Sequence, residues 1–275
     1  MIKNEKLKVF NVLIWLASVA SMIGLMILGE KFLEQYRYGL LIEFLIITAV
    51  TLLYLYLISG RKTFTFFGNR TGYTVGSLFI TLLFPIVFML FGVLTYFMER
   101  PAPRENWPLN VLLLAVNMFL VGIYEEGCFR ACACDALLPV FRKCRHPFLL
   151  TALISGLLFG YVHVVNVDFS DLQQVLQFFL KIATVLLSGT TYMIVYWKTR
   201  NLIGLAIAHG LNDFLPEFLY AIFAWQTEET GSYISGNAGT TVIYVIQLVF
   251  DLICLLVVYR RVGKTIDYRK TLEEW

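Results

Sequence analysis

The chain has 275 residues, 59% of them hydrophobic and 15% charged, with a mean hydropathy of +0.73. So little polar surface cannot clothe a soluble globule of this size, which excludes the water-soluble enzymes and binding domains as classes. The net charge of +3 says little as a sum, and the placing of the basic residues says more.

A helix crossing the hydrocarbon core needs about 20 mostly apolar residues. Eight runs answer to this: 9–28, 39–59, 73–98, 108–138, 148–163, 173–197, 201–223 and 241–259. They predict an all-α, polytopic membrane protein with about eight transmembrane helices. With a cytoplasmic N-terminus, the inner segments hold Lys3, Lys6 and Lys8, then Arg61, Lys62 and Arg70, then Arg142, Lys143 and Arg145, then Lys198 and Arg200. The tail adds Arg260, Arg261, Lys264, Arg269 and Lys270. The opposite connections hold Lys31, Arg37, Arg100 and Arg104, while 164–172 and 224–240 carry Asp168, Asp171, Glu228 and Glu229 and no base. The positive-inside bias then puts both termini in the cytoplasm, N-in and C-in, which requires an even number of crossings. A multi-pass protein of the plasma membrane is expected.

Lys3 to Lys8 ahead of an apolar stretch containing Ser18-Val19-Ala20 resemble a cleavable signal peptide. The apolar run continues to Leu28 and reaches spanning length, so an uncleaved anchor is expected instead. Residues 1–107 carry few buried polar groups and read as a scaffold of about three helices. Glu43 stands near the start of the second run and is expected to reach the headgroups, and Pro85 is expected to kink the third. No Pro, Gly or Ser linker divides the chain, which is treated as a single integral membrane domain: scaffold 1–107, core 108–259, and a basic cytoplasmic tail 260–275 at the anionic inner leaflet. The five cysteines, Cys128, Cys132, Cys134, Cys144 and Cys254, are odd in number and lie in or near helices, so a disulfide framework is not expected. Cys128 and Cys132, one turn apart, read as small residues packing between helices rather than as metal ligands.

From residue 108 the character changes. Glu125, Glu126, Arg130, His163, Lys181, His209, Asp213, Glu217 and Asp251 all lie within or at the ends of apolar runs. Ionisable groups at that depth cost at least a few kcal/mol each and face a cavity or one another. The fourth run contains Tyr124-Glu125-Glu126-Gly127-Cys128-Phe129-Arg130. Glu126 and Arg130 share a helical face and form either an ion pair that ties helices together or part of a site. Glu125 points about 100° away, with no partner on its own helix. A carboxylate left in low dielectric is suited to general-base work.

The fifth run ends Ser155-Gly156-Leu157-Leu158-Phe159-Gly160-Tyr161-Val162-His163. Gly156 and Gly160 permit close helix approach, while Phe159 and His163 share the adjoining face. His163 by itself reads equally as a functional imidazole and as a satisfied donor between helices. The seventh run contains His209-Gly210-Leu211-Asn212-Asp213, with Glu217 a turn further on. Asp213, one turn from His209, can orient the ring or bind the same group, and a polar seam between helices is the plainer alternative.

Taken in order, Glu125, Glu126 and Arg130, then Phe159 and His163, then His209 and Asp213 resemble the CPBP (CAAX protease and bacteriocin-processing, Abi-type) intramembrane proteases, related to the type II CAAX prenyl endopeptidases. That family's pattern is Glu-Glu-x-x-x-Arg, Phe-x-x-x-His and His-x-x-x-Asn or Asp, each on its own helix. The resemblance covers 108–223. It implies an intramembrane endopeptidase in which Glu125 activates water, His163 helps to hold that water, and His209 and Asp213 stabilise the oxyanion. Its partners would be membrane lipid and a membrane-associated peptide or protein, with no nucleic acid.

An oxyanion needs hydrogen-bond donors. Either a protonated Asp213 donates, or Asp213 orients His209 as the donor, or Asn212 supplies its amide; the second is preferred. No cofactor is expected. The alternative is Zn2+ held by Glu125, His163 and His209, since two imidazoles and a carboxylate leave a position open for water. Against this, the His-Glu-x-x-His signature is absent. Two other functions compete: a non-catalytic bacteriocin-immunity or peptide-binding protein of the same fold, and a transporter using Lys181, Asp213 and Asp251, which lacks the inverted repeat or paired broken helices of such proteins.

Overall fold

In lipid, a run of apolar residues satisfies its backbone N–H and C=O groups only by bonding within itself, and this chain answers with helices. The computed structural model describes residues 2–61, 63–164, 167–225 and 234–275. Lys62, Glu228 and Glu229 lie outside them, as do the side chains of Lys3 and Lys6. In order come α1 (Ile2–Phe32), α2 (Gly39–Ser59), α3 (Thr71–Leu78), α4 (Leu83–Glu99), α5 (Trp107–Glu126), α6 (Ala133–Phe141), α7 (Pro147–Val162), α8 (Leu172–Thr199), α9 (Leu202–Ile222), α10 (Ala238–Arg261) and α11 (Tyr268–Glu274). No strand occurs among the described residues, and the protein is all-α.

Among the described residues, six stretches are long and apolar enough to cross a membrane: Leu7–Phe32, Gly39–Ser59, Thr71–Glu99, Trp107–Phe141, Leu172–Thr199 and Ala238–Thr265. The other two runs become α7, apolar but 16 residues long, and α9, 21 residues long but carrying His209, Asp213 and Glu217. The chain is thus a multi-pass membrane protein whose helices follow the eight runs in order. Two runs are interrupted. In the third, a 3-10 turn at Phe79–Leu82 separates α3 from α4. It lies just before Pro85, whose missing N–H leaves the Thr81 carbonyl without its helical donor. In the fourth, a π-helical turn, Gly127–Cys132, separates α5 from α6.

The chain forms two compact units. One comprises Ile14–Cys128 and Asn201–Glu229. Its centre is the α5/α9 pair, where the backbones touch at two small residues: a Cβ on Gly122 would strike the Ala206 carbonyl, and one on Gly210 the Met118 carbonyl. Gly127 likewise makes room for Thr51 of α2, and Gly204 for Thr74 of α3. Asn201 caps α9 by accepting from Gly204 N–H at 2.7 Å and donates to the Asn69 carbonyl at 2.6 Å. At the far end of the pair, Arg104 N–H donates to the Ile222 carbonyl at 2.7 Å and Ala224 N–H to that of Ala102 at 3.0 Å. Trp15 of α1 donates its indole N–H to the Cys128 carbonyl at 3.1 Å. Glu43 departs from expectation: it is buried, because Gly29 of α1 has no side chain to keep its carboxylate out.

The second unit comprises Met1–Leu13, Phe129–Arg200 and Thr230–Trp275. Gly156 and Gly160 of α7 lie against Leu186 and Ile182 of α8, the close approach their spacing predicts. The buried Gln177 ties α8 to the start of α10, donating to the Asn237 carbonyl at 2.8 Å and accepting from Ser235 N–H at 3.0 Å. The basic tail folds back as α11, with the Arg200 guanidinium 3.7 Å from the Trp275 ring centre. All five cysteines are free thiols; Cys144 is exposed and the other four are buried.

Candidate active site

The crossing of α5 and α9 at Gly122 and Gly210 brings the end of one helix beside the middle of the other. His209 is where they meet. Its Nδ1 is 2.6 Å from Glu126 Oε1. Its Nε2 is 3.3 Å from Glu125 Oε2 and 3.3 Å from Asp213 Oδ2. One imidazole therefore faces three carboxylates, two from α5 and one from its own helix. Glu126 is wholly buried, whereas the Glu125, His209 and Asp213 side chains are 11%, 14% and 39% exposed, so the ring opens toward solvent on its Nε2 side. Asn212 faces another way: its amide donates to the Ala208 carbonyl at 2.9 Å and to Thr81 Oγ at 3.2 Å, which engages both N–H groups.

Directly after Glu126 the helix widens into the π turn, a device frequent at functional sites. Its second half belongs to the other unit, where Ser155 Oγ holds the Phe129 carbonyl at 2.5 Å. The Arg130 guanidinium lies 4.4 Å from the Phe159 ring centre and 5.9 Å from that of Tyr192. It fits there because Gly189 of α8 has no Cβ. The Phe159 ring meets His163 edge-on at 4.5 Å. His163 Nδ1 is 2.7 Å from the Phe159 carbonyl, an acceptor only, so Nδ1 carries the hydrogen and a neutral ring presents its lone pair at Nε2.

The sequence candidates thus fall into two groups. Glu125, Glu126, His209 and Asp213 surround one imidazole in the first unit, and Arg130, Phe159 and His163 form one stack in the second. Lys181 and Asp251 are buried in the second unit, where the Lys181 ammonium lies 5.6 Å from the Tyr244 ring centre. No group of three or more His, Cys, Asp or Glu side chains among the described residues is placed to hold a metal ion. Sequence reasoning passed over Asn117, an amide that is 6% exposed on the face α5 turns to α9. An isolated amide in the apolar run 111–122 was the available signal.

By fold and site this is a multi-pass helical membrane protein that holds a glutamate pair against a histidine between two of its helices. Residues 106–215 match the family described as Rce1-like, type II CAAX prenyl endopeptidase Rce1-like. This segment contains all three motifs, from Glu125 to Asp213, and is similar to that family of membrane endopeptidases. Neither the curated proteins nor the solved structures give a significant match.

Proposed function

We propose that the protein is an intramembrane endopeptidase of the plasma membrane, in which Glu125 activates water to hydrolyse a peptide bond in a membrane-associated peptide or protein. The observation that carries the reading is the setting of His209: Glu126 fixes Nδ1 at 2.6 Å and leaves Nε2 beside Glu125 on the side open to solvent. Glu125 takes a proton from water as the water oxygen bonds to the carbonyl carbon, and the carbonyl electron pair moves onto oxygen. His209, carrying a hydrogen on both ring nitrogens among its three carboxylates, donates Nε2–H to that oxyanion, with Asp213 orienting the ring. As the oxyanion collapses, the C–N bond breaks and Glu125 passes its proton to the departing amine. The products are one carboxylic acid and one amine, which ionise to carboxylate and ammonium, and the step consumes one water.

On the family pattern His163 is assigned a water-binding role, with Nε2 as acceptor. Arg130 positions it by fixing the Phe159 ring. No metal is assigned, and no step runs through one. The name of the matching family makes a prenylated CAAX peptide the first substrate to try. With purified protein in detergent and such a peptide, Glu125→Gln is expected to lower kcat by about 10²–10⁴ while the melting temperature stays within a few degrees. Equal turnover by the variant removes Glu125 from the mechanism.

A further inference from the structure

Beside the His209 cluster, and within the same unit, α5 and α9 part to leave an open cleft of about 390 Å³. Nothing in the proposed chemistry uses it. Its apolar walls come from Leu113 and Leu114 of α5 and Ala221 of α9. Two amides of α5, Asn110 and Asn117, also line it. Asn117 is 6% exposed, and its carboxamide oxygen has no hydrogen-bond partner among the described residues. A buried, unpaired carbonyl is costly to leave so, and it marks a place where a ligand donor belongs. The two charges on the lining, Arg104 and Glu217, are opposite in sign, so the cleft is neutral in sum and suits an uncharged ligand.

Spacing narrows the ligand further. Seven residues of helix put Asn110 and Asn117 on one face about 10 Å apart, close to the reach of three extended residues. On α5, Asn117 stands about 12 Å before Glu125; on α9, Glu217 is one turn beyond Asp213. A chain lying in the cleft therefore arrives at Glu125 after about three or four residues.

We propose that this cleft is the substrate groove, taking extended residues without net charge next to the scissile bond, and that Asn117 reads the backbone three or four residues from that bond, with Asn110 about three residues further along. The inference rests on the proteolytic reading, and the test keeps the two apart by measuring binding without turnover. The Glu125→Gln protein in detergent is titrated with an S-farnesylated Cys-Val-Ile-Leu amide, alone and with Asn117→Leu or Ala221→Phe added. The first removes the amide at similar size, and the second fills the groove from the other helix. Each is expected to raise Kd about fivefold or more, and each double variant should elute and melt as its parent does. Peptides with single backbone amides replaced by esters should bind the parent more weakly at one position, and that penalty should vanish in Asn117→Leu. Unchanged Kd in both variants, or no saturable binding to the parent, overturns the groove. If binding depends on both residues yet the wild-type protein never cleaves the peptide, the groove stands and the catalytic role of Glu125 falls.

Discussion

The two nitrogens of His209 have unequal surroundings, and that inequality assigns their work. Nδ1 faces the wholly buried Glu126 and serves as a fixed attachment in the proposed mechanism; Nε2 faces the more open Glu125 and Asp213 and is there the working end. Glu126→Gln removes the charge that holds the ring, and kcat is expected to fall by about 10²–10³ with KM within about twofold, the size of losing one oxyanion donor. Asn212→Ala makes the contrast. Its amide serves Ala208 and Thr81, so the melting temperature should drop while kcat stays; a large loss of kcat at full folding would return Asn212 to the oxyanion site. Exhaustive chelation is expected to leave turnover intact. Activity that is lost on chelation and restored by Zn2+ would favour the ligand set Glu125, His163 and His209 instead.

At the scale of helices, the cluster exists because α5 and α9 touch backbone to backbone. Gly122→Val and Gly210→Val each force branched carbons into the opposing carbonyls, which is expected to cost about 1–3 kcal/mol and to abolish cleavage by spreading His209 from Glu125. Full activity in both would mean the crossing tolerates separation. The helices themselves were legible, because each apolar run of spanning length has one way to satisfy its backbone in lipid. The close approach at Gly156 and Gly160 was legible too, since a four-residue spacing of glycines puts both on one face. Other features were not. Hydropathy averages over turns and carries no record of hydrogen-bond register, so it passes over the π turn at Gly127–Cys132. Nor does it say which residue faces which helix. Glu43 was read toward the headgroups because its partner, Gly29, lies on a different run, and Asn117 went unread because an amide acquires meaning only beside a cleft.

For the whole molecule, the charge pattern predicts a cytoplasmic α6–α7 connection, and Cys144 in that connection is the exposed thiol among five. A membrane-impermeant maleimide is therefore expected to label the protein in inverted vesicles and to spare it in right-side-out ones, with Cys144→Ser abolishing the label. Labelling from the outside would reverse the topology. It would leave the grouping around His209 untouched, since that depends on helix contacts rather than on sidedness.

Helix α9 lacks the apolarity of the six stretches suited to crossing the membrane, and this bears on how the protein is made. An aspartate at mid-helix costs about 2.5–3.5 kcal/mol on insertion scales, and a membrane-inserted α9 would carry Asp213, Glu217 and a histidine together. Its companion α5 leaves the ribosome first and already offers the polar face that α9 needs. Assembly is therefore expected to be ordered, with α9 lodging in the bilayer as a late arrival beside a waiting neighbour. Expressed alone behind a glycosylation reporter, α9 should fail to integrate, and supplying α1–α8 ahead of it should rescue integration.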